Sequence, residues 1–493
     1  MIGAKVDALF SHFAAGLPIS NTPFLRGNPK PRMSSMRGKE PTTSTRKGHD
    51  PRRTAFWLVL VAFVLYNANL RSITSFDTNP TRYLPISIIK EFDLDLDEFP
   101  FLHKYPEWWH RDKNALPSYL VDVRGHYMSR FPVMPAILSV PVYAIPVALG
   151  LTAGNTSALD YTHTEIVGTL LSKISASLAV AFSVGILFLT LLRLTTQTAA
   201  LGVALVYAFA TSSWSVSSQG LWQSSISQPL LALTLYFFVL GRVDSRNVVY
   251  ASIPLALSVA CRQPTLIFAL AFFIYVARYH RTKLLAFSIF PVVLGGLLLA
   301  YNLYYFESLA GPYSRAGGVV KLTTPQWNAF LGLLISPSRG LFVYSPVLAF
   351  AFVGLVSVLC ERQDPLLTSA ASASLVLILL YSAWSSWHGD FSYSYRFLVD
   401  LLPGLSLFLA VTWNWVTAQG WRKNLFVASV VFSVFVQIIG SFFYPCGWFE
   451  TPERANSRPE RFWDWRDPEF MRCLRAGPVD PEGLRLVRQM IQR

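Results

Sequence analysis

The run AFWLVLVAFVLYNANL, residues 55–70, followed at once by SFDTNPTRYLPISIIKEFDLDLDE, residues 75–98, decides the fold class. The first run carries no charge, and with its flanks it approaches the roughly 20 residues that a helix needs to cross a bilayer. Arg46, Lys47, Arg52 and Arg53 precede it, which holds its start in the cytoplasm. Asp77 is therefore expected just beyond the first span, on the opposite face. A carboxylate at the mouth of a membrane cavity can take a proton from a hydroxyl within hydrogen-bonding reach. Asp77, Thr78 and Asn79 also precede Pro80, which is how a helix beginning there would be capped. The two readings do not exclude each other.

The same reading extends outward along the chain. Of its 493 residues 52% are hydrophobic, mean hydropathy is +0.38, and several long runs lack charge. The pattern predicts an all-α polytopic membrane protein with about 11 to 13 transmembrane helices, because barrel strands alternate over short segments and these runs do not. Further spans are expected at 166–192, 198–216, 224–240, 248–279, 284–304, 341–360, 367–385, 397–416 and 424–444. The net charge of +14 sits largely in the N-terminal tail and short loops, a positive-inside distribution that argues against a nucleic-acid partner.

Three regions follow: a disordered basic cytoplasmic tail over 1–53, a transmembrane domain over 54–444 with a long external loop at 76–130, and an external C-terminal cap over 445–493. No cleaved leader is expected. In the external loop, Phe101, Tyr105, Trp108 and Trp109 suit the headgroup level. Four cysteines make no disulfide framework: Cys261 and Cys360 are expected to be buried thiols, and Cys446 and Cys473 to pair only if the tail lies outside.

Charge parity constrains the rest. Loops with Arg193, Arg242 and Arg246, Arg278, Arg281 and Lys283, Arg362, and Arg422 and Lys423 all read as cytoplasmic. Hence 131–151, with four prolines, is read as re-entrant or interfacial, though a mis-set loop or an extra short span would also restore the parity, and 248–279 should go out and return at Cys261-Arg262-Gln263-Pro264. Each leg would be roughly 20 to 24 Å long, placing Arg262 within the protein, where an intramembrane charge marks a site unless it snorkels to the interface. The external loops ATSSWSVSSQGLWQ (210–223), 305–340 and WSSWHGDFSYSYR (384–396) combine aromatic rings, hydroxyls and isolated arginines. Such groups suit a sugar and a phosphate, and equally an aromatic belt. His126 and His388 stand isolated, without metal spacing, and no Walker loop, HExxH or GxSxG occurs.

The stretches FDTNPTRYLPISIIKE, RGHYMSRFPVMPAILSVPVYAIP, SSWSVSSQGLWQSSISQPLLAL, ACRQPT, YNLYYFESLAGPY, SPSRGLFVYSPVLAF, WSSWHGDFSYSYRFLVDLLPGL and RFWDWRDPE, in this order, resemble the GT-C superfamily of polyprenyl-phosphate-sugar-dependent glycosyltransferases. Within it they resemble the bacterial protein mannosyltransferase and lipopolysaccharide-core transferase type. The resemblance implies an inner-membrane hexosyltransferase-like enzyme facing the extracytoplasmic side, a polyprenyl-phosphate-linked sugar donor drawn from the membrane lipid, a glycan, lipid or protein acceptor, and inversion at the anomeric carbon. It places Asp77 as the base; Arg396, Arg339 and Arg262 as donor-phosphate ligands; and Arg82, His126, Trp222, Tyr344, His388 and Asp390 as substrate contacts. Relatives often carry a second acid near the first; here Glu91, Asp93, Asp95 and Asp97 come too late to pair with Asp77, so a mechanism without metal or cofactor is expected. A transporter or flippase would need paired repeats with interrupted helices, which the sequence does not display. A scaffold of the envelope would need neither a buried arginine nor an acid at the mouth.

Overall fold

The computed structural model describes residues 50–103, 116–152, 158–314 and 323–481. The expectations for the tail before residue 50 and for Tyr105, Trp108 and Trp109 lie outside the described residues. Helix α1 (Pro51–Asn67) opens as its sequence dictates, with Asp50 accepting from the Arg52 amide and proline at the first position. It is followed by α2 (Asn79–Lys90), α3 (Met134–Ala148), α4 (Ala158–Leu192), α5 (Gln197–Phe209), α6 (Gln223–Leu240), α7 (Arg246–Cys261), α8 (Leu266–Tyr279) and α9 (Leu284–Phe306). Then come α10 (Trp327–Ile335), α11 (Leu341–Tyr344), α12 (Leu348–Glu361), α13 (Pro365–Ser382), α14 (Leu402–Ala418), α15 (Gly420–Phe442) and α16 (Glu469–Ala476). Among the described residues six helical segments, 163–192, 223–240, 281–306, 365–382, 396–418 and 420–442, have the length and apolar composition to cross a bilayer, as expected of a multi-pass membrane protein.

The helices break where side chains compete with the backbone. The expected span 198–216 ends at Phe209, after which Ser213–Ser217 form one π turn. Thr211 and Ser218 hydroxyls return to the Tyr207 and Trp214 carbonyls, the local bonding that makes these residues poor helix interiors. The expected span 341–360 is split at Ser345-Pro346, because proline excludes helical geometry from the residue before it. The all-α expectation also misses a small hairpin between α2 and α3, β1 (Leu120–Val123) paired antiparallel with β2 (His126–Ser129). Helix α3, at about 22 Å for its length, is shorter than a ~30 Å passage. The turn at Arg262 stands where expected, in extended backbone between α7 and a short 3-10 turn leading to α8.

Two cores result. The larger is organised around α14, buried on nearly all sides and packed on α12, α5 and α6. The smaller joins α2, α3 and the outer half of α4 through Tyr83, Phe99, Tyr119 and Tyr143. At the basic-loop end, Arg242 pairs with Asp364 at 2.6 Å, tying the end of α6 to the α12–α13 turn. Cys360 is exposed rather than buried, since it sits in the last turn of α12. Cys446 and Cys473 form a disulfide that closes the C-terminal cap on itself. Closing a loop with this sequence separation of 27 stabilises by about 3.5 kcal/mol on chain-entropy grounds. Cys446→Ser should therefore lower the unfolding temperature and expose residues 445–476 to protease, whereas Cys261→Ser should change neither.

Candidate active site

Asp77 lies in a 3-10 turn, Phe76–Thr78, that feeds α2. No side-chain cap bond is made at the start of α2, so the capping reading does not account for this carboxylate. Instead Arg396 Nη2 donates to Asp77 Oδ2 at 2.7 Å, joining residues 319 positions apart. The Asp77 side chain is 41% exposed and that of Arg396 15%, so the acid faces outward while its partner is largely enclosed. Arg396 lies over the Trp222 ring, 4.4 Å from its centroid, and 5.5 Å from that of Phe397, which fixes the guanidinium plane.

Beside this pair is a small pocket walled by Thr74, Ser215, Trp222, Phe391, Tyr393 and Tyr444, among others. Trp222 Nε1 is buried without a hydrogen-bond partner, a donor that a ligand oxygen can satisfy. Arg82 Nη2 donates to Thr74 Oγ1 at 2.7 Å. The backbone before Asp77 is pressed onto the serine-rich segment at Gly220, where a Cβ would stand 2.3 Å from Thr74 Cγ2. Most hydroxyls of that segment are spent internally: Ser212 meets Ser394 at 2.5 Å, and its amide donates to the Tyr395 hydroxyl at 3.0 Å. Ser215 donates to Gln437. They knit the 211–218 turn to the 384–396 loop, and only Ser215 among them lines the pocket.

The other two arginines expected near a phosphate have carboxylate partners of their own. Arg262 pairs with Asp400 at 2.8 Å, with Asp400 also accepting from Ser227 at 2.6 Å. It sits beside Tyr381 and Phe397, sharing the Phe397 ring with Arg396. Arg339 is fully buried against Glu469 and donates from Nε to the His388 carbonyl at 2.7 Å and from Nη2 to that of Asp390 at 3.1 Å. It thus fastens the 384–396 loop to the C-terminal cap. His388 stacks on Phe462 at 4.2 Å; burial, with Arg339 nearby, pushes its imidazole down to about 3, keeping it neutral. Asp390 accepts from Asn456 at 2.8 Å. Tyr344 is buried between Tyr393 and Phe470. These three contribute no side chain to the pocket wall.

His126 is not isolated. The hairpin sets its Nδ1 2.7 Å from Asp97 and 3.3 Å from Asp95, and Asp93, Asp95 and Glu98 gather alongside. Burial pushes Glu98 up to about 7. Sequence spacing could not reveal this cluster, because a separate bridge between Asp95 and Met128 lays residues 95–97 against the second strand of the hairpin. Lys173, Asp400 and Glu469 were also missed. Lys173 is the lone charge within 166–192, a signal that was available.

No family model matches the chain, and no curated protein matches it. Among solved structures it is similar to ArnT from Cupriavidus metallidurans bound to undecaprenyl phosphate. The similarity has a TM-score of 0.44 and 11% identity, covering 88% of this chain and 78% of that one.

Proposed function

We propose that this protein is a GT-C-type membrane glycosyltransferase that moves a sugar from a polyprenyl-phosphate donor to an acceptor hydroxyl on the extracytoplasmic side. The observation that carries the reading is the meeting of Asp77 with Arg396 beside a pocket bearing an unpartnered indole donor. Asp77 takes the acceptor proton, the acceptor oxygen attacks the anomeric carbon from the face opposite the phosphate, and the carbon–oxygen bond to phosphate breaks, inverting the centre. The electron pair leaves with polyprenyl phosphate, whose charge the remaining Arg396 donors stabilise. Phosphate leaves readily, so positioning supplies much of the acceleration. Arg262 and Arg339, each paired with a carboxylate, belong in this reading to the scaffold.

Two further observations support the outward orientation. The Arg242–Asp364 tie brings together two loops that the charge rule assigns to the cytoplasm, and a disulfide in the cap suits an oxidising compartment.

The test is incubation of purified protein with a panel of radiolabelled polyprenyl-phosphate sugars and envelope extract, followed by recovery of label in a new glycoconjugate. Failure with every donor, in the presence of bound polyprenyl phosphate, would sink the assignment to sugar transfer. Trp222→Leu removes both the face under Arg396 and the orphan donor. It should cut kcat/KM roughly 10- to 100-fold, about the sum of one cation–π contact and one ligand hydrogen bond, while Trp465→Leu, at an exposed position in the cap, should leave it unchanged.

A further inference from the structure

Lys173 projects from α4 with its side chain in the protein and is 5% exposed. Its ammonium donates to one neutral acceptor, Gln219 Oε1, at 2.6 Å, and no carboxylate among the described residues lies within ion-pair distance of it. Gln219 Oε1 also accepts from Asn69 at 2.7 Å, and Arg71 adds a second positive charge within electrostatic reach. A buried ammonium without a counter-charge costs several kcal/mol, and within a membrane helix such a group marks a site.

Its depth suits one ligand chemistry. From Lys173 to Leu192, where the cytoplasmic Arg193 begins, α4 rises about 28 Å, close to the ~30 Å hydrocarbon thickness. Lys173 therefore stands at the outer headgroup level, where a lipid phosphate resides. Arg82 stands nearby: a Cβ at Gly168, about 7.5 Å up α4, would lie 3.5 Å from Arg82 Cγ. Arg82 is also buried with its Nε unpartnered, and Glu165 lies within its electrostatic reach without forming an ion pair. The two residues are held in register through Leu221, whose amide donates to Ser172 and whose carbonyl accepts from Thr81. Their acceptors, Gln219 and Thr74, flank the close approach at Gly220.

We infer that Lys173, with Arg82 as a second basic group, anchors the phosphate of a polyprenyl-phosphate lipid, the counter-charge that Lys173 lacks. The inference rests on the donor class proposed above and names residues in addition to Arg396.

The full-length protein in nanodiscs is titrated with undecaprenyl phosphate, undecaprenol, phosphatidylglycerol and inorganic phosphate, reading thermal stabilisation. Wild type should be stabilised by undecaprenyl phosphate alone. Lys173→Met should weaken that binding at least tenfold without lowering the ligand-free unfolding temperature, since removing an unpaired buried charge relieves a cost. Lys173→Arg should retain it within about threefold, as expected for a guanidinium that also binds phosphate. Equal stabilisation by phosphatidylglycerol or inorganic phosphate would overturn the assignment, as would unchanged affinity in Lys173→Met. If Lys173→Met does not fold, Arg82→Gln decides: a tenfold weaker affinity supports the anchor and an unchanged one removes it. Asp77→Asn separates the two levels. Should it abolish transfer while the Lys173 and Arg82 variants bind lipid phosphate normally, only the anchor falls; should wild type bind no polyprenyl phosphate, the donor class falls with it.

Discussion

Asp77→Asn should lower kcat for sugar transfer by about 10² to 10⁴, the range that a positioned general base contributes, and leave the protein folded. The amide has the shape of the carboxylate, so it keeps its place in the 3-10 turn and can still accept from Arg396. What it loses is the capacity to receive the acceptor proton while the anomeric bond forms. The stability cost should be small, because the Asp77 side chain is 41% exposed and pairs open to water contribute about 0 to 1 kcal/mol. Polyprenyl-phosphate binding should survive, so the loss should appear in kcat rather than in donor affinity. Asp77→Glu should recover part of the activity, because the proton acceptor is kept and only its reach changes. Full transfer by Asp77→Asn would remove this residue from the chemistry.

Breaking the Arg339–Glu469 pair should have the largest effect on stability. Both side chains are 1% exposed, and removing one partner of such a pair leaves the other charge buried and uncompensated, at a cost of about 3 to 5 kcal/mol. Arg339→Met should exact this cost fully, since Arg339 also donates to the His388 and Asp390 carbonyls. Glu469→Gln should cost somewhat less, because the amide oxygen can still accept. Thermal unfolding should shift down in both, and protease should reach the 384–396 loop and the cap before the transmembrane core. Transfer should fall as well, because Phe391 and Tyr393 of that loop line the pocket, yet Asp77 remains in place. Replacing both partners with apolar residues of similar volume should restore much of the stability. A stability unchanged in Arg339→Met would mean that the cap is not fastened through this residue.

How far the sequence could be read depended on the range of the interaction. Hydropathy runs and caps are local, so the helical class, the start of α1 at Asp50-Pro51 and the turn at Arg262 were legible from neighbouring residues. Helix ends at serine and proline were less so: the runs 198–216 and 341–360 are apolar enough to read as single spans, while hydroxyl back-bonding and Pro346 interrupt them. Asp77 was legible as an acid just after the first apolar helix, because its position follows from that run alone. Cys446 and Cys473 were legible as a pair only on the condition that the tail lies outside.

What the chain alone determined, then, is which segments are apolar helices and which charged residues stand at their ends, since both follow from solvation residue by residue. Only the tertiary structure decided which charges meet. Asp77 finds Arg396, Arg262 finds Asp400, Arg339 finds Glu469, and Lys173 finds no carboxylate among the described residues. Partner choice between buried ions depends on a few ångströms of helix packing, and no local pattern in a sequence carries that information.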